Sequence, residues 1–376
     1  MMQKRRSLLG LLFHLAGVLL MLPFAISYFA GWIPPTKSLP VALCGMFYPY
    51  LLVVNFCFLL YWILHRNRMW IPSLVLLLAG LPLVGRYYQY AGVDDDGEPH
   101  AMMLKTMTYN VQLCGAYRDN RSDVQALYRD SIFRVIREAA PDLLCMQEFY
   151  QGNASSHHNT ALLDSLLPSY YCYPDIRRRS SHYIGNLIYC RFPVVGAGCV
   201  GNSYDLDNHS AIYADVLVGQ DTFRIYNLHL KSVQFQQQDY DFAQQLTDAN
   251  WVRTEPLTKG SKRILKKLKV AYATRTQQVD SIVRHIDQSP YPLIVCGDFN
   301  DTPWSYTYRQ FKKRLSDSFV QSGIGRGNSF DINRVLRFRI DYVFCDKRLK
   351  GLHHTVLRHS GASDHYAVMA GIVEIQ

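Results

Sequence analysis

The chain has 376 residues, 49% hydrophobic and 19% charged, with a formal net charge of +10. That length allows one or two domains with a sizeable core, and the plentiful apolar and aromatic residues exclude collagen-like, low-complexity and disordered chains. Residues 1–90 hold seven basic residues and no Asp or Glu, leaving 33 basic against 30 acidic residues beyond them, a net of +3, so the charge balance argues little for nucleic-acid binding by the larger part.

Three apolar stretches come first: Leu8 to Trp32, Val41 to Leu64, and Trp70 to about Tyr88. Each reaches the ~20 residues that an α-helix needs to cross the hydrocarbon core. Tyr and Trp gather near their ends, as amphipathic rings do at a bilayer interface. Lys4-Arg5-Arg6 would suit a signal peptide, but the apolar run is longer than such a segment uses and two more follow it. Three transmembrane helices over residues 1–90 are therefore expected, in a cell-membrane protein. The basic residues before the first helix and in His65-Arg66-Asn67-Arg68 place those two regions in the cytoplasm. Three crossings then put everything after Tyr90 on the extracytoplasmic side. The helices contain no acidic residue that could carry ions, so their expected role is to anchor.

A polar linker, residues 91–101, leads to a second domain, 102–376. Short apolar runs alternate there with amphipathic helices. One helix runs from Ser122 through Val124, Leu127, Ile132, Val135 and Ile136 until Pro141 stops it, and another from Tyr272 to Ile286. Leu143–Met146, Asn186–Tyr189, Phe223–Leu230, Leu293–Cys296 and Ile340–Phe344 read as strands buried between layers. Seven cysteines (Cys114, Cys145, Cys172, Cys190, Cys199, Cys296, Cys345) are expected as buried free thiols, since several sit inside apolar runs.

Polar groups end these strands. Thr108-Tyr109-Asn110 ends the first, Gln147-Glu148 the second, and Asn227-Leu228-His229-Leu230-Lys231-Ser232 a third. Gly297-Asp298-Phe299-Asn300-Asp301-Thr302-Pro303 follows a fourth, Arg339-Ile340-Asp341-Tyr342 opens another, and Ser363-Asp364-His365 lies near the C-terminus. A polar group beside a buried strand costs free energy unless it is paired or serves a site. Six such positions together point to a site.

In order, these six segments resemble the endonuclease/exonuclease/phosphatase superfamily, which contains deoxyribonuclease I, neutral sphingomyelinases and inositol-polyphosphate 5-phosphatases. The resemblance spans about residues 102–373. It implies an α/β fold, a four-layer sandwich of two packed β-sheets flanked by helices, here preceded by three transmembrane α-helices. It also implies hydrolysis of phosphate esters with Mg²⁺ or Mn²⁺, as one or two ions, which suits hard oxygen ligands. By resemblance, Glu148, Asn110 and Asp364 hold the metal. Asp298 and Asn300 orient the attacking water, His229 and His365 flank the phosphate, and Asp341 pairs with His365. A histidine at position 229 sets the chain with the sphingomyelinase, phosphatase and deoxyribonuclease I side, because abasic-site endonucleases typically use Tyr there.

The remaining features are weaker. His157-His158 and His353-His354 are read as surface pairs. The Lys259 to Lys269 stretch is read as a solvated basic face, with anionic lipid or a polyanionic substrate as the alternative. Arg275 and Gln278 are read as supporting residues. Substrate choice is expected in Tyr150–Arg179, Val233–Ser261 and Gly323–Arg337. The expected partners are the lipid bilayer and an anionic phosphate ester, whether phospholipid, nucleic acid or sugar phosphate; no obligate protein partner is evident. The alternatives are a nuclease acting outside the cytoplasm and a non-catalytic binding module on a degenerate hydrolase scaffold.

Overall fold

The computed structural model describes residues 8–90, 92, 102–116, 121–152, 159–167, 171–179, 182–200, 211–236, 238–239, 241–242, 256–331, 336–358 and 361–375. His157 and His158 lie outside them.

The apolar N-terminal third forms α1 (Leu8–Ser27), α2 (Leu39–Met46), α3 (Tyr48–Leu64) and α4 (Trp70–Val84). Helix α1 has 20 residues and so spans about 30 Å. It is the one described helix long and apolar enough to cross a membrane by itself, with only 17% of its apolar window buried. The second apolar stretch, expected as one span, is instead two helices meeting at 70°. Pro49 sits in the first turn of α3; without an N–H, and with its ring against the preceding turn, it cannot continue α2. The third stretch is shorter than expected, with 15 helical residues.

Helices α1, α3 and α4 run up, down and up. Tyr28 Oη donates to Leu76 O at 2.6 Å and Tyr48 Oη to Gly80 O at 2.8 Å at one end of the bundle. At the other end Trp62 Nε1 donates to His14 Nδ1 at 3.1 Å. Leu12, Leu19, Leu22, Val53, Phe56, Val75 and Leu81 face outward, an apolar surface of a kind that a soluble helical bundle would bury.

Beside two short two-stranded pairs, Tyr88–Gln89 with Gly325–Arg326 and Phe330–Asp331 with Arg337–Phe338, the second domain is built on two six-stranded sheets. Twelve strands build them: β1 (Leu104–Asn110), β2 (Leu143–Gly152), β3 (Tyr171–Arg179), β4 (His182–Cys190), β5 (Val194–Val200), β6 (Ala211–Val218), β7 (Asp221–His229), β8 (Leu293–Asp298), β9 (Leu315–Asp317), β10 (Asp341–Asp346), β11 (Leu349–Leu357) and β12 (Ala367–Glu374). The first sheet has the order β11-β12-β1-β2-β4-β3 and the second β9-β10-β8-β7-β6-β5. Ile188, Leu143 and Val368 of the first sheet pack against Ile212, Ile225 and Ile294 of the second. Helices α5 (Ser122–Ala139) and α6 (Asn159–Leu166) cover the outer face of the first sheet, and α7 (Leu257–Ile286) and α8 (Tyr306–Lys312) that of the second. A short α9 (Ser318–Ser322) precedes the last strands. The layers therefore run helix, sheet, sheet, helix, as expected. Helix α7 starts fifteen residues earlier than its apolar period indicated, taking the basic stretch into its first half. Tyr150–Arg179, expected as a loop, contains β3 paired along β4.

Each sheet has one parallel pair, β1 with β2 and β7 with β8, joined by crossovers that carry α5 and α7. This registry positions the site. Asn110 lies opposite Gln147, His229 opposite Asp298, and Asp341 opposite Asp298 from the antiparallel side. Gly297 lets β8 approach β7 closely: its φ is +142°, and a Cβ there would meet Leu228 O at 2.0 Å. Between the sheets Gln147 Nε2 donates to Asn227 Oδ1 at 2.6 Å, while Asn227 Nδ2 donates to Met146 O and Leu187 O, both at 2.8 Å. These two strand-end amides are thus a buried clamp between layers.

His354, expected on the surface, is buried. Its Nδ1 lies 2.8 Å from Ser318 Oγ, and burial pushes its pKa down to about 3. Cys114, Cys145, Cys190, Cys199, Cys296 and Cys345 are free thiols, as expected, and all but the half-buried Cys199 are buried; the Cys172 side chain lies outside the described ones.

Candidate active site

The eight singled-out residues converge at the C-terminal ends of the two parallel pairs. Glu148 sits where the β2–β4 register shifts, with a φ of +53°. A bulge of this kind re-aims a side chain at the cost of backbone strain. Its carboxylate remains 31% exposed, with Oε1 at 3.3 Å from Asn110 Nδ2 and 3.4 Å from His229 Nε2. Asn110 Nδ2 also donates to Asp298 Oδ2 at 3.1 Å, and its Oδ1 accepts from the Gln112 N–H at 3.0 Å.

Asp298 is the hub. Its Oδ1 accepts the Asn300 N–H at 2.8 Å and its Oδ2 accepts Asn300 Nδ2 at 3.1 Å. His229 Nε2 and His365 Nε2 lie 3.8 and 3.7 Å from the same oxygen. Behind His365, Asp341 Oδ2 is 2.9 Å from Nδ1. Burial pushes the Asp341 carboxyl up to about 6, with Asp298 adding to the rise and His365 opposing it. Burial alone would depress His365, but the charges of Asp341 and Asp298 outweigh it and hold the imidazole at about 10. At neutral pH the pair is therefore carboxylate and imidazolium.

The surrounding residues hold this arrangement. Ser363 Oγ donates to Asn110 O at 2.8 Å and accepts the His365 N–H at 3.1 Å, joining the last segment to the first. Ser329 Oγ accepts the Asp341 N–H at 3.0 Å, and the Phe330 ring lies 4.7 Å from that of His365. Gln112 Oε1 accepts the Asp364 N–H at 3.3 Å. From α7, Gln278 Oε1 accepts the Lys231 N–H at 2.8 Å and Arg275 donates to Lys231 O, fixing the chain after His229. Arg275 and Gln278 thus support the site, as expected. Ser329, Phe330 and Gln112 were missed, since a lone Ser, Phe or Gln in a loop carries no periodic or motif signal.

Glu148, Asp298, Asn300, Asp364 and His365 open onto a cleft of about 220 Å³. Among the described residues, no Lys or Arg forms a salt bridge with Glu148, Asp298 or Asp364. Ligand atoms of Asp298, Asp341 and His365 lie within 4.8 Å of one another. His365 Nδ1 is already taken by Asp341, however, so this trio is better suited to proton handling than to holding a cation. Glu148 and Asp364, with no Lys or Arg partner among the described residues and with the Asn110 amide beside Glu148, are hard oxygen donors of the kind that suits a divalent cation.

A family model described as the Endonuclease/Exonuclease/phosphatase family matches residues 107–365, and a domain of unknown function matches residues 6–87. Among curated proteins, none matches the chain. Solved structures similar to it include the endonuclease/exonuclease/phosphatase from Bacteroides vulgatus, 17% identical with a TM-score of 0.50, covering 73% of this chain and 100% of that one. A family protein from Leptotrichia buccalis is 18% identical with a TM-score of 0.49, covering 72% and 100%. The human Nocturnin catalytic domain is 17% identical with a TM-score of 0.47, covering 73% and 94%. With the family match taking in every segment from β1 to His365, the chain belongs to the endonuclease/exonuclease/phosphatase family.

Proposed function

We propose that this chain is a membrane-anchored, divalent-metal-dependent phosphoesterase whose catalytic domain works outside the cytoplasm. The observation that carries the reading is the shared cleft, where Glu148, Asp364 and Asp298 meet His365 and Asn300. Glu148, Asn110 and Asp364 would hold Mg²⁺ or Mn²⁺, which supplies positive charge to the phosphoryl oxygens. Asp298, itself fixed by Asn300, orients a water for in-line attack and draws its proton. Asn300 and His229 face the phosphoryl oxygens, and imidazolium His365 stabilises their developing charge. Water adds its oxygen to phosphorus, the ester P–O bond breaks, and the leaving oxygen takes up a proton as the alcohol. Asp341 keeps His365 charged and oriented. A complete set of these groups argues against a degenerate scaffold.

The membrane part of the reading rests on α1, long and apolar enough to cross by itself, and on the outward apolar faces that α3 and the shorter α4 share with it; three crossings would need α3 and α4, at 17 and 15 residues, to pass beside it. The full-length protein in lipid nanodiscs should hydrolyse phosphate diesters or monoesters with complete loss in EDTA and recovery in Mg²⁺ or Mn²⁺; EDTA-insensitive hydrolysis would sink the metal assignment. A reporter fused after Gln376 should be active only outside the cytoplasm, and cytoplasmic activity would mean a different number of crossings.

A further inference from the structure

The catalytic cleft is not walled by the family domain alone. Met46, the last residue of α2, lines it together with Val233, Phe235, Phe330 and Phe338. The cleft joins the carboxylates and imidazole of the site, and the polar side chains of Ser232, Gln234 and Thr302, to an apolar wall in which Met46 and Phe235 meet the helical module. Leu39, Ala42 and Leu43 of α2 pack on Leu268 and Tyr272 of α7 and on Val233 and Phe235 of the chain after β7. Tyr272 Oη lies 3.5 Å from Met46 Sδ. On the opposite rim Tyr50 of α3 accepts the Arg337 N–H at 3.0 Å, and its ring is 6.2 Å from Phe338.

The bundle sets the depth of this wall. The end of α1, the start of α3 and the end of α4 all face the catalytic domain: Trp304 Nε1 donates to Ser27 O at 2.6 Å, and the Arg86 guanidinium lies 4.8 Å from the Trp304 ring. Gly45 permits this approach, since a Cβ there would come within 2.7 Å of Trp304 O. With the bundle crossing a bilayer, α2, bent 70° from α3, runs along the interface at headgroup level. Beside it the first half of α7 exposes Lys262, Lys266 and Lys269 on one face, with Leu265 and Val270 exposed next to them. That mixture suits an anionic lipid surface.

We infer that the substrate is an amphiphilic phosphate ester resident in the membrane, with its phosphate at Glu148 and His365 and its alkyl chains running past Met46 and Phe235 into the bilayer. Helix α2 is then part of the substrate cleft rather than only of the anchor. A nucleic acid or sugar phosphate would leave polar groups against this apolar wall, at a cost that a lipid chain avoids. This inference rests on the phosphoesterase reading.

The test uses the full-length chain in phosphatidylcholine mixed micelles with methyl and hexadecyl 4-nitrophenyl phosphate diesters. Wild type should favour the hexadecyl ester at least about tenfold in kcat/KM, the effect of burying two or three methylenes. Met46→Glu, and more mildly Met46→Ala, should reduce that preference several-fold, whereas Val75→Ala on the outward face of α4 should keep it. A purely structural role for Met46 would change both esters alike; an unchanged preference in both Met46 variants overturns the inference. So does a single-stranded DNA oligonucleotide cleaved with a higher kcat/KM than the hexadecyl ester. EDTA-insensitive cleavage, or no cleavage of any of these, removes instead the phosphoesterase reading beneath it.

Discussion

Glu148→Gln should lower turnover by about 10²–10⁴-fold and regain part of it in excess Mg²⁺ or Mn²⁺. The substitution keeps side-chain volume and removes only the charge that attracts a hard cation. Its neighbours remain in place, with Asn110 Nδ2 at 3.3 Å and His229 Nε2 at 3.4 Å, so the remaining oxygens still bind metal, more weakly. Asp298→Asn should behave differently. Its two oxygens accept from Asn110 and from both nitrogens of Asn300, so an amide there disrupts the positioning of water, and added metal should restore little. Thermal melts of each variant separate these effects from unfolding. Full activity in Glu148→Gln, or equal rescue of the two variants by metal, would refute the division of roles.

The site was legible in the sequence because its residues stand at the ends of strands buried on both faces. Runs such as Leu293–Cys296 announce themselves by composition, and the polar residue after them has few structural reasons to be there. The parallel registry then does the rest, setting His229 opposite Asp298. Less of the periphery could be read. In β5, Gly196 and Gly198 interrupt the apolar run; each faces a β6 side chain, Asp215 and Tyr213, where a Cβ would collide. The first half of α7 is basic and contains Gly260, which hides a helix continuous with Tyr272–Ile286. His353-His354 looked like a surface pair, yet the register shift between Leu352 and Thr355 turns His354 inward onto Ser318. The placement of Met46 is a purely tertiary result. Nothing within α2 signals that its last residue reaches a cleft whose other lining residues run from Glu148 to His365, and the bend at Pro49 that brings it there lies inside a stretch whose apolar composition reads as one continuous span.

Loss of the His365 ring should be the other large effect, and its pH dependence is the sharper test. His365→Ala should cost about 10²–10⁴-fold in turnover with little recovery in added metal. Asp341→Asn should give a milder loss with a distinct signature. In the wild type Asp341 and Asp298 hold the imidazole protonated up to about 10, so activity that depends on the imidazolium declines only as pH rises through that value. Removing the Asp341 charge lowers the imidazole pKa by about 1–3 units, and the alkaline limb of kcat should move down by the same amount. Stability follows the same sign. A histidine whose pKa rises from 6.5 to about 10 on folding contributes stability that is complete below 6.5 and is lost as pH climbs through 10. Denaturant melts of the wild type should therefore weaken between those values more than melts of Asp341→Asn. If kcat profiles of wild type and Asp341→Asn share one alkaline limb, the carboxylate does not act through His365, and the short Oδ2–Nδ1 contact is structural alone.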